Sequence, residues 1–349
     1  MTTARFILAD LLKGIAVLLM IQVHITELFT TQEFYQSLPG RVSLVLGGVP
    51  AAPLFMVVMG FFIGYINYNT RKLLLRGLKL IFWGFLLNIG INFHLFYRIL
   101  LASIQLDPLP YLFGVDILFL AGISIVIIAL CVKLFRGYAL PFLIAAFLIP
   151  LFSDIIPVCQ SNSVTGKYLL AYIHSNSWWS YFPVIPWLGY PLLGTAAGIF
   201  YSKHPNITNT LFNKPYILLI SSTVTLLLWG HGFRISANLP LYYHHGILFY
   251  VWSVSFLVTV VNGIYFLIRI LSKDNLLVRY LSWVGKNVTT FYVIQWLFIG
   301  NLATSLYKTQ PTASLVFWFA GITVLSSILV WLWNKRSLII EFFKDLTTE

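Results

Sequence analysis

The first long apolar segment of the chain carries four ionisable residues, Asp10, Lys13, His24 and Glu27. In a helix, successive residues are rotated by about 100°, so Lys13 lies about 20° to one side of His24 and Asp10 about 40° to the other. Glu27 lies about 60° from His24, on the Lys13 side. An imidazole is well suited to proton transfer near neutral pH. This shared face therefore predicts acid–base chemistry at His24, with Asp10 and Glu27 beside it.

Lys13 and His24 are also separated along the helix axis, by eleven residues or about 16 Å. A long, phosphate-tailed molecule would meet the cation at one end and present its other end to the imidazole. Each residue also has a structural explanation. Asp10 and Lys13 at i, i+3 would form an ion pair, His24 would be a hydrogen-bonded interior histidine, and Glu27 an interfacial carboxylate.

The composition indicates a membrane protein. Of the 349 residues, 59% are hydrophobic and only 9% are charged, and the net charge is +12. Soluble domains carry about a quarter charged residues, so this chain cannot form a fully water-facing surface. A soluble enzyme, a nucleic-acid-binding module and a disordered scaffold are excluded. The two cysteines form no metal-ligand pattern.

Ten apolar segments are long enough to predict an all-α, polytopic membrane protein with a single domain over residues 1–349. They are Phe6–Phe29, Leu44–Ile66, Leu74–Phe93, Leu112–Leu134, Tyr138–Phe152, Tyr181–Phe200, Pro215–Gly230, Gly246–Ile268, Thr289–Leu306 and Leu315–Trp333. The sixth contains Pro183, Pro186 and Pro191, which predict a broken helix facing protein or a water-filled cavity. The long polar loop Ser153–Ser180 is a candidate lid or binding surface.

The distribution of Lys and Arg predicts the orientation. With the N-terminus inside, 17 of the 22 Lys and Arg fall on the cytoplasmic side, and only Arg41, Arg98, Lys167, Arg234 and Lys308 fall outside. Cytoplasmic loops are rich in these residues, so both termini are predicted to be cytoplasmic. Asp10 and Lys13 interrupt the first apolar segment, which we expect to be retained rather than cleaved as a signal peptide.

Five short motifs occur in the order typical of membrane-bound acyltransferases. They are Asp10…Lys13-Gly14…His24, Ala52-Pro53-Leu54-Phe55…Met59-Gly60-Phe61, Gly114-Val115-Asp116, Phe182-Pro183…Trp187…Gly194 and Gly285-Lys286-Asn287…Tyr292…Gln295. The chain resembles acyltransferase family 3 and, more closely, the heparan-α-glucosaminide N-acetyltransferase-like proteins of bacteria. Lys13 stands where family 3 has arginine, and Gln295 where it often has histidine. Met59 before Gly60 favours the glucosaminide type.

The resemblance implies an enzyme that moves an acetyl or other short acyl group from cytoplasmic acyl-CoA to a sugar or glycan on the extracytoplasmic face. It implies acetyl-CoA as donor, no metal ion, and His24 as general base or as transient acyl carrier. It indicates a bacterial cytoplasmic membrane. Hydroxyl or amine acceptance, acyl length, acceptor identity and a homodimer are left open.

Donor binding is predicted for Lys13 and for the cytoplasmic cluster Arg71, Lys72, Arg76 and Lys79, whose charges would pair with the phosphates of CoA. The alternative for this cluster is helix orientation and contact with lipid headgroups.

Acceptor binding is predicted for Asn88, Asn92, Asp116, Trp187 and Gln295. Each has an alternative role. The amides would hydrogen-bond between helices, Asp116 would cap the helix that follows it, and Trp187 would belong to an interfacial aromatic belt.

Two other classes of function fit parts of the sequence. A secondary transporter or flippase for a glycan or lipid-linked intermediate would suit the ten segments and the buried charges. Transporters commonly carry paired repeats, and none is visible here. A non-catalytic assembly partner would leave the ionisable face of the first segment without a purpose.

Overall fold

A computed structural model describes residues 7–66, 69–135, 137–207, 214–270 and 275–336, and these residues are helical apart from loops and an isolated β-bridge between Thr30 and Gln310. The predicted all-α class is confirmed. Phe6, the first residue of the first predicted segment, lies outside the described residues. So do four of the cations assigned to the cytoplasmic side, Arg5, Arg136, Lys273 and Lys344.

The helices follow the predicted apolar segments. They are α1 (Ile7–Leu28), α2 (Gln32–Gln36), α3 (Leu38–Gly48), α4 (Ala52–Tyr65), α5 (Thr70–Ile91), α6 (Phe93–Leu100), α7 (Leu109–Leu112), α8 (Ile117–Leu134), α9 (Ala139–Ile155), α10 (Val164–Ala171), α11 (Val184–Trp187), α12 (Gly189–Lys203), α13 (Pro215–Leu227), α14 (Trp229–Ser236), α15 (Leu239–Tyr243), α16 (Ile247–Ile270), α17 (Leu276–Lys286), α18 (Val288–Leu306) and α19 (Leu315–Asn334).

Seven helical stretches of the described residues are long and apolar enough to cross a membrane, or up to eight if α13 and α14, bent by 68°, form one span. The seven are α1, α3 with α4, α5, α8, α11 with α12, α16, and α19 with the short 3₁₀ turn before it. Helix α9 is apolar but shorter. Each of the ten predicted segments coincides with a helix, whereas the number of ten spans stays a prediction. The predicted break in the sixth segment is confirmed, because Ile185 has a non-helical backbone.

Glycines bring two pairs of helices into close contact, and in both pairs the contacting glycines belong to the sequence motifs described above. A Cβ atom added to Gly14 of α1 would overlap the carbonyl oxygen of Leu281 in α17, and one added to Gly285 of α17 would overlap that of Asp10. Helices α4 and α12 meet in the same way through Gly60 and Gly194. Small residues allow backbones in a membrane to approach closely.

The loop after α9 is attached to the segment that precedes α8. The Val115 amide donates to the Trp179 carbonyl at 2.8 Å, and the Phe182 amide donates to the Val115 carbonyl at 3.0 Å. These bonds hold the end of the predicted lid loop against the start of α8, at the same end of the bundle as the C-terminal half of α1.

Candidate active site

A cavity of about 600 Å³ lies between the C-terminal part of α1, the end of α5, the start of α8 and one side of α18. Ligand pockets commonly measure about 300–1,000 Å³. Five of the predicted site residues line the cavity: His24, Glu27, Asn88, Asn92 and Asp116. Among the described residues, no Lys or Arg belongs to the lining. The cavity therefore combines one imidazole and two carboxylates with largely apolar and aromatic walls.

His24 and Glu27 form the ionisable pair that α1 contributes to the cavity. His24 Nδ1 lies 3.6 Å from Glu27 Oε2, and the two side chains are 17% and 23% exposed. The imidazole also packs against Trp296 of α18, with ring centroids 3.9 Å apart. Nδ1 is buried and has no hydrogen-bond partner among the described residues. Catalytic hydrogen bonds are often long before substrate binds. The arrangement can support a base oriented by a carboxylate.

Asp116 faces the same cavity from the start of α8. Its Oδ1 accepts a hydrogen bond from the Ile117 amide at 2.7 Å, so the helix-capping alternative is confirmed. Its Oδ2 accepts one from the Tyr292 hydroxyl at 2.5 Å. A carboxylate offers about four acceptor positions, so these two bonds leave capacity for a sugar hydroxyl or amine.

Asn88 and Asn92 support the segment before α8. Asn88 Nδ2 donates to the carbonyls of Leu112 at 3.0 Å and Gly114 at 2.9 Å. Asn92 Nδ2 donates to the Tyr111 carbonyl at 3.3 Å. These are the inter-segment hydrogen bonds expected of amides in membrane helices. Both residues also line the cavity, so a substrate contact stays a prediction for each.

Asp10 and Lys13 lie outside the cavity lining and form the ion pair that their i, i+3 spacing predicts. Lys13 Nζ is 2.9 Å from Asp10 Oδ1. Along α1, Met20 is the lining residue nearest to Lys13, and it is seven residues or about 10 Å away. The shared helical face therefore has two separate groups in this structure, an ion pair and a cavity-facing pair.

Trp187 and Gln295 also lie outside the cavity lining. Trp187 is completely buried, and its indole N–H donates to the Tyr243 carbonyl at 2.8 Å. It therefore has no exposed face on which a sugar ring can stack. Gln295 is buried too, and its Nε2 donates to the Tyr292 carbonyl at 3.2 Å. Its Oε1 has no partner among the described residues.

The four predicted donor-binding cations Arg71, Lys72, Arg76 and Lys79 are exposed near the start of α5. Asn69 caps this helix by accepting a hydrogen bond from the Arg71 amide at 2.9 Å. Because Asn88 and Asn92 lie at the other end of the same helix, the cluster and the cavity occupy opposite ends of the bundle.

Several cavity residues were missed as site candidates in the sequence. Tyr292 belongs to a sequence motif that assigns it no role in the site, and Trp296 belongs to none of the motifs. Both belong to one face of α18 that also carries Gly300 and Ala303, and Tyr307 follows directly after the helix; all are in the cavity lining. This spacing of three or four residues is the helical period, so the pattern was available as a signal.

Two histidines, His244 and His245, lie just before the start of α16. His245 Nδ1 lies 2.7 Å from the Tyr242 carbonyl, and its Nε2 lies 3.1 Å from the Tyr190 hydroxyl. Burial lowers the pKa of His245 to about 3 and that of His244 to about 4. Both imidazoles are therefore neutral near pH 7.

Among the described residues, no group of three or more His, Cys, Asp or Glu is arranged to hold a metal ion.

A family model described as heparan-alpha-glucosaminide N-acetyltransferase, catalytic, matches residues 5–230. The matched range contains His24, Glu27, Asn88 and Asp116, whereas Tyr292 and the rest of α18 lie beyond it. No curated protein and no solved structure matches the chain.

Proposed function

Since the chain belongs to the heparan-α-glucosaminide N-acetyltransferase family and is an acetyl-CoA-dependent membrane acetyltransferase, we propose that it transfers the acetyl group across the membrane. The donor is cytoplasmic acetyl-CoA, and the acceptor is a hydroxyl or amine of an extracytoplasmic sugar. The observation that carries this proposal is the placement of His24 and Glu27 in a cavity at one end of the bundle, with the α5 cation cluster at the other end.

In the proposed reaction, His24 takes the proton from the acceptor hydroxyl or amine while the acceptor oxygen or nitrogen attacks the acetyl carbonyl carbon. The carbon–sulfur bond of acetyl-CoA breaks, and CoA leaves as the thiol after taking up a proton. In a two-step alternative, an imidazole nitrogen attacks the acetyl carbonyl carbon, the carbon–sulfur bond breaks, and CoA leaves as the thiol with the proton that the imidazole loses. The acceptor then attacks the acetyl-imidazole, the carbon–nitrogen bond breaks, and the acceptor proton returns to the imidazole. In both routes Glu27 orients the imidazole and stabilises its positive charge.

The charge of the cavity limits the acceptor. Glu27 and Asp116 face the cavity, and in the part of the chain that the structure describes no Lys or Arg lines it. Two carboxylates repel an anionic group and attract hydroxyl donors or an ammonium group. We therefore propose a neutral or amine-bearing sugar at the reacting position, with Asp116 as its hydrogen-bond acceptor.

We further propose the membrane arrangement that this reaction needs. The chain crosses the bacterial cytoplasmic membrane ten times with both termini inside, so that Arg71, Lys72, Arg76 and Lys79 meet the CoA phosphates. Lys13 lies between that surface and the cavity. About 10 Å of α1 separates Lys13 from Met20, the first residue of the cavity lining. The side chains along this stretch must therefore move apart to admit the acyl end of the donor.

The test is acetyl transfer by purified protein in detergent, with acetyl-CoA and glucosamine. We expect thiol release and acetylated sugar, and we expect His24→Gln to lower the rate by about 10²–10⁴-fold, the usual contribution of a general base. Activity in detergent also separates an enzyme from a transporter, because transport requires a sealed membrane.

The matched control is His204→Gln, which changes an exposed histidine at the end of α12, away from the cavity lining. It should retain the activity of the unmodified protein. Full acetyl transfer by a well-folded His24→Gln protein would remove His24 from the proposed mechanism.

A further inference from the structure

The mouth of the cavity carries an exposed tryptophan and a half-buried tyrosine that the proposed acetyl transfer does not use. Trp178 lines the cavity and is nevertheless 55% exposed. Tyr111 lines it as well, and its ring lies edge-on to Trp178 with centroids 5.4 Å apart. A large aromatic ring that contacts both the cavity and the surrounding solvent can bind a ligand that extends out of the cavity.

The position of this aromatic pair is fixed by the surrounding structure. Trp178 packs edge-on against Trp179, whose ring in turn lies 5.2 Å from that of Tyr168. The Trp179 carbonyl accepts the hydrogen bond from the Val115 amide. Because Asp116 follows Val115 directly, the aromatic mouth is attached to the same segment that presents the Asp116 carboxylate to the cavity.

The chemistry of the mouth suits a sugar ring. The faces of aromatic rings are electron-rich and their edges electron-poor, so the faces attract weakly positive C–H groups. A pyranose presents such C–H groups on its faces and hydroxyls at its edge. A hydrophobic surface with a few carboxylate acceptors nearby is the usual character of a small-molecule site.

We propose that Trp178 and Tyr111 form a second sugar-binding subsite, which holds the unit next to the one that is acetylated. A unit within an oligosaccharide or polysaccharide chain is then bound more tightly than free glucosamine, which occupies the reacting position alone. This proposal rests on the proposed function in that the cavity receives the acceptor sugar.

The exposure of Trp178 is also expected for a tryptophan at the membrane interface, where this residue is common. Trp83 of α5 provides the comparison, because it is 58% exposed and does not line the cavity. A purely interfacial role predicts that the two tryptophans respond alike to substitution. A subsite predicts that only Trp178 affects sugar binding.

The experiment measures sugar binding to the full chain in lipid nanodiscs, by isothermal titration calorimetry without acetyl-CoA. The probes are glucosamine and its tetramers in α-1,4 and β-1,4 linkage. We expect one tetramer to bind at least about tenfold more tightly than glucosamine. Trp178→Ala should lower the affinity for that tetramer by roughly three- to tenfold, as expected for the loss of one aromatic contact. The affinity for glucosamine should stay unchanged.

Trp83→Ala should leave both affinities unchanged, and Trp178→Phe, which keeps an aromatic face, should restore most of the tetramer affinity. The proposal is overturned if neither tetramer binds more tightly than glucosamine, or if Trp178→Ala and Trp83→Ala act alike. Because binding is measured without the donor, failure of acetyl transfer is a separate result. It would appear as tetramer binding without thiol release.

Discussion

At the scale of single residues, the side chains that line the cavity are of two kinds: some are placed to act on a substrate, and others hold the surrounding helices in position. His24 and Glu27 lie one helical turn apart, and the 3.6 Å between Nδ1 and Oε2 exceeds a normal hydrogen bond. Hydrogen bonds between catalytic groups are often long in the absence of substrate and tighten when it binds. Trp296 covers one face of the imidazole and limits the directions from which a sugar or an acyl group can approach.

The hydrogen bond between Tyr292 and Asp116 joins two residues of the cavity lining, and we expect it to affect both stability and substrate binding. Tyr292→Phe removes the hydroxyl that donates to Asp116 Oδ2. Hydrogen bonds to charged groups contribute about 1.5–3 kcal/mol, so we expect a lower midpoint of thermal unfolding. We also expect a higher KM for the acceptor sugar, because the carboxylate loses the contact that orients it.

Tyr280→Phe is the matched control for this substitution. The Tyr280 hydroxyl lies 2.9 Å from the Ser327 hydroxyl, in a contact between α17 and α19 outside the cavity lining. It should lower the unfolding midpoint without changing the KM. Equal effects of both variants on the KM would show that Tyr292 has no specific role at Asp116.

At the scale of helices, motif glycines determine how closely the first helix packs against the last part of the chain. Gly14 and Gly285 allow backbone contact between α1 and α17 near the Asp10–Lys13 ion pair. The chain continues from α17 into α18, which contributes Tyr292 and Trp296. A change in the contact between α1 and α17 would therefore alter the distance across the cavity.

Gly285→Ala tests this contact. The new methyl group would overlap the Asp10 carbonyl oxygen, so the helices must separate. Overpacking of this kind usually costs about 1–3 kcal/mol, and we expect a lower unfolding midpoint together with reduced acetyl transfer.

Gly321→Ala provides the control, since no described atom outside the backbone of its own helix lies within 4 Å of a Cβ added there. Alanine also favours helix over glycine. This variant should be as stable and as active as the unmodified protein. If Gly285→Ala behaved in the same way, close packing of α1 on α17 would not be required.

At the scale of the whole molecule, the proposed reaction depends on the two ends of the bundle facing different compartments. The cavity and the aromatic mouth lie at one end, and the α5 cations lie at the other. An acetyl group must therefore travel along the interior, past the Asp10–Lys13 ion pair.

This orientation can be measured with a membrane-impermeant maleimide on intact cells. Cys131→Ser and Cys159→Ser remove the free thiols, and a single cysteine is then introduced at Asp107 or at Lys335, both of which are exposed. We expect Asp107→Cys to react in intact cells, and Lys335→Cys to react only after permeabilisation. The reverse pattern would invert the predicted orientation. Reaction of both cysteines in intact cells would exclude the odd number of spans that the ten predicted segments place between Asp107 and Lys335.

The sequence alone was sufficient for features that arise within one helix. Residues close in sequence have fixed relative positions once a helix forms. The helices themselves, the Asp10–Lys13 ion pair, the capping by Asp116 and the common face of His24 and Glu27 were predictable for this reason. The broken sixth segment was predictable because proline removes a backbone donor.

The tertiary structure decided which of these faces enclose a cavity. Asp116 and Tyr292 are 176 residues apart in sequence, and no local pattern predicts their hydrogen bond. Trp187 is buried while Trp178 is exposed at the mouth, although both belong to the same aromatic-rich region. Burial depends on how helices distant in sequence pack against each other, and the periodicity of a single segment does not contain that information.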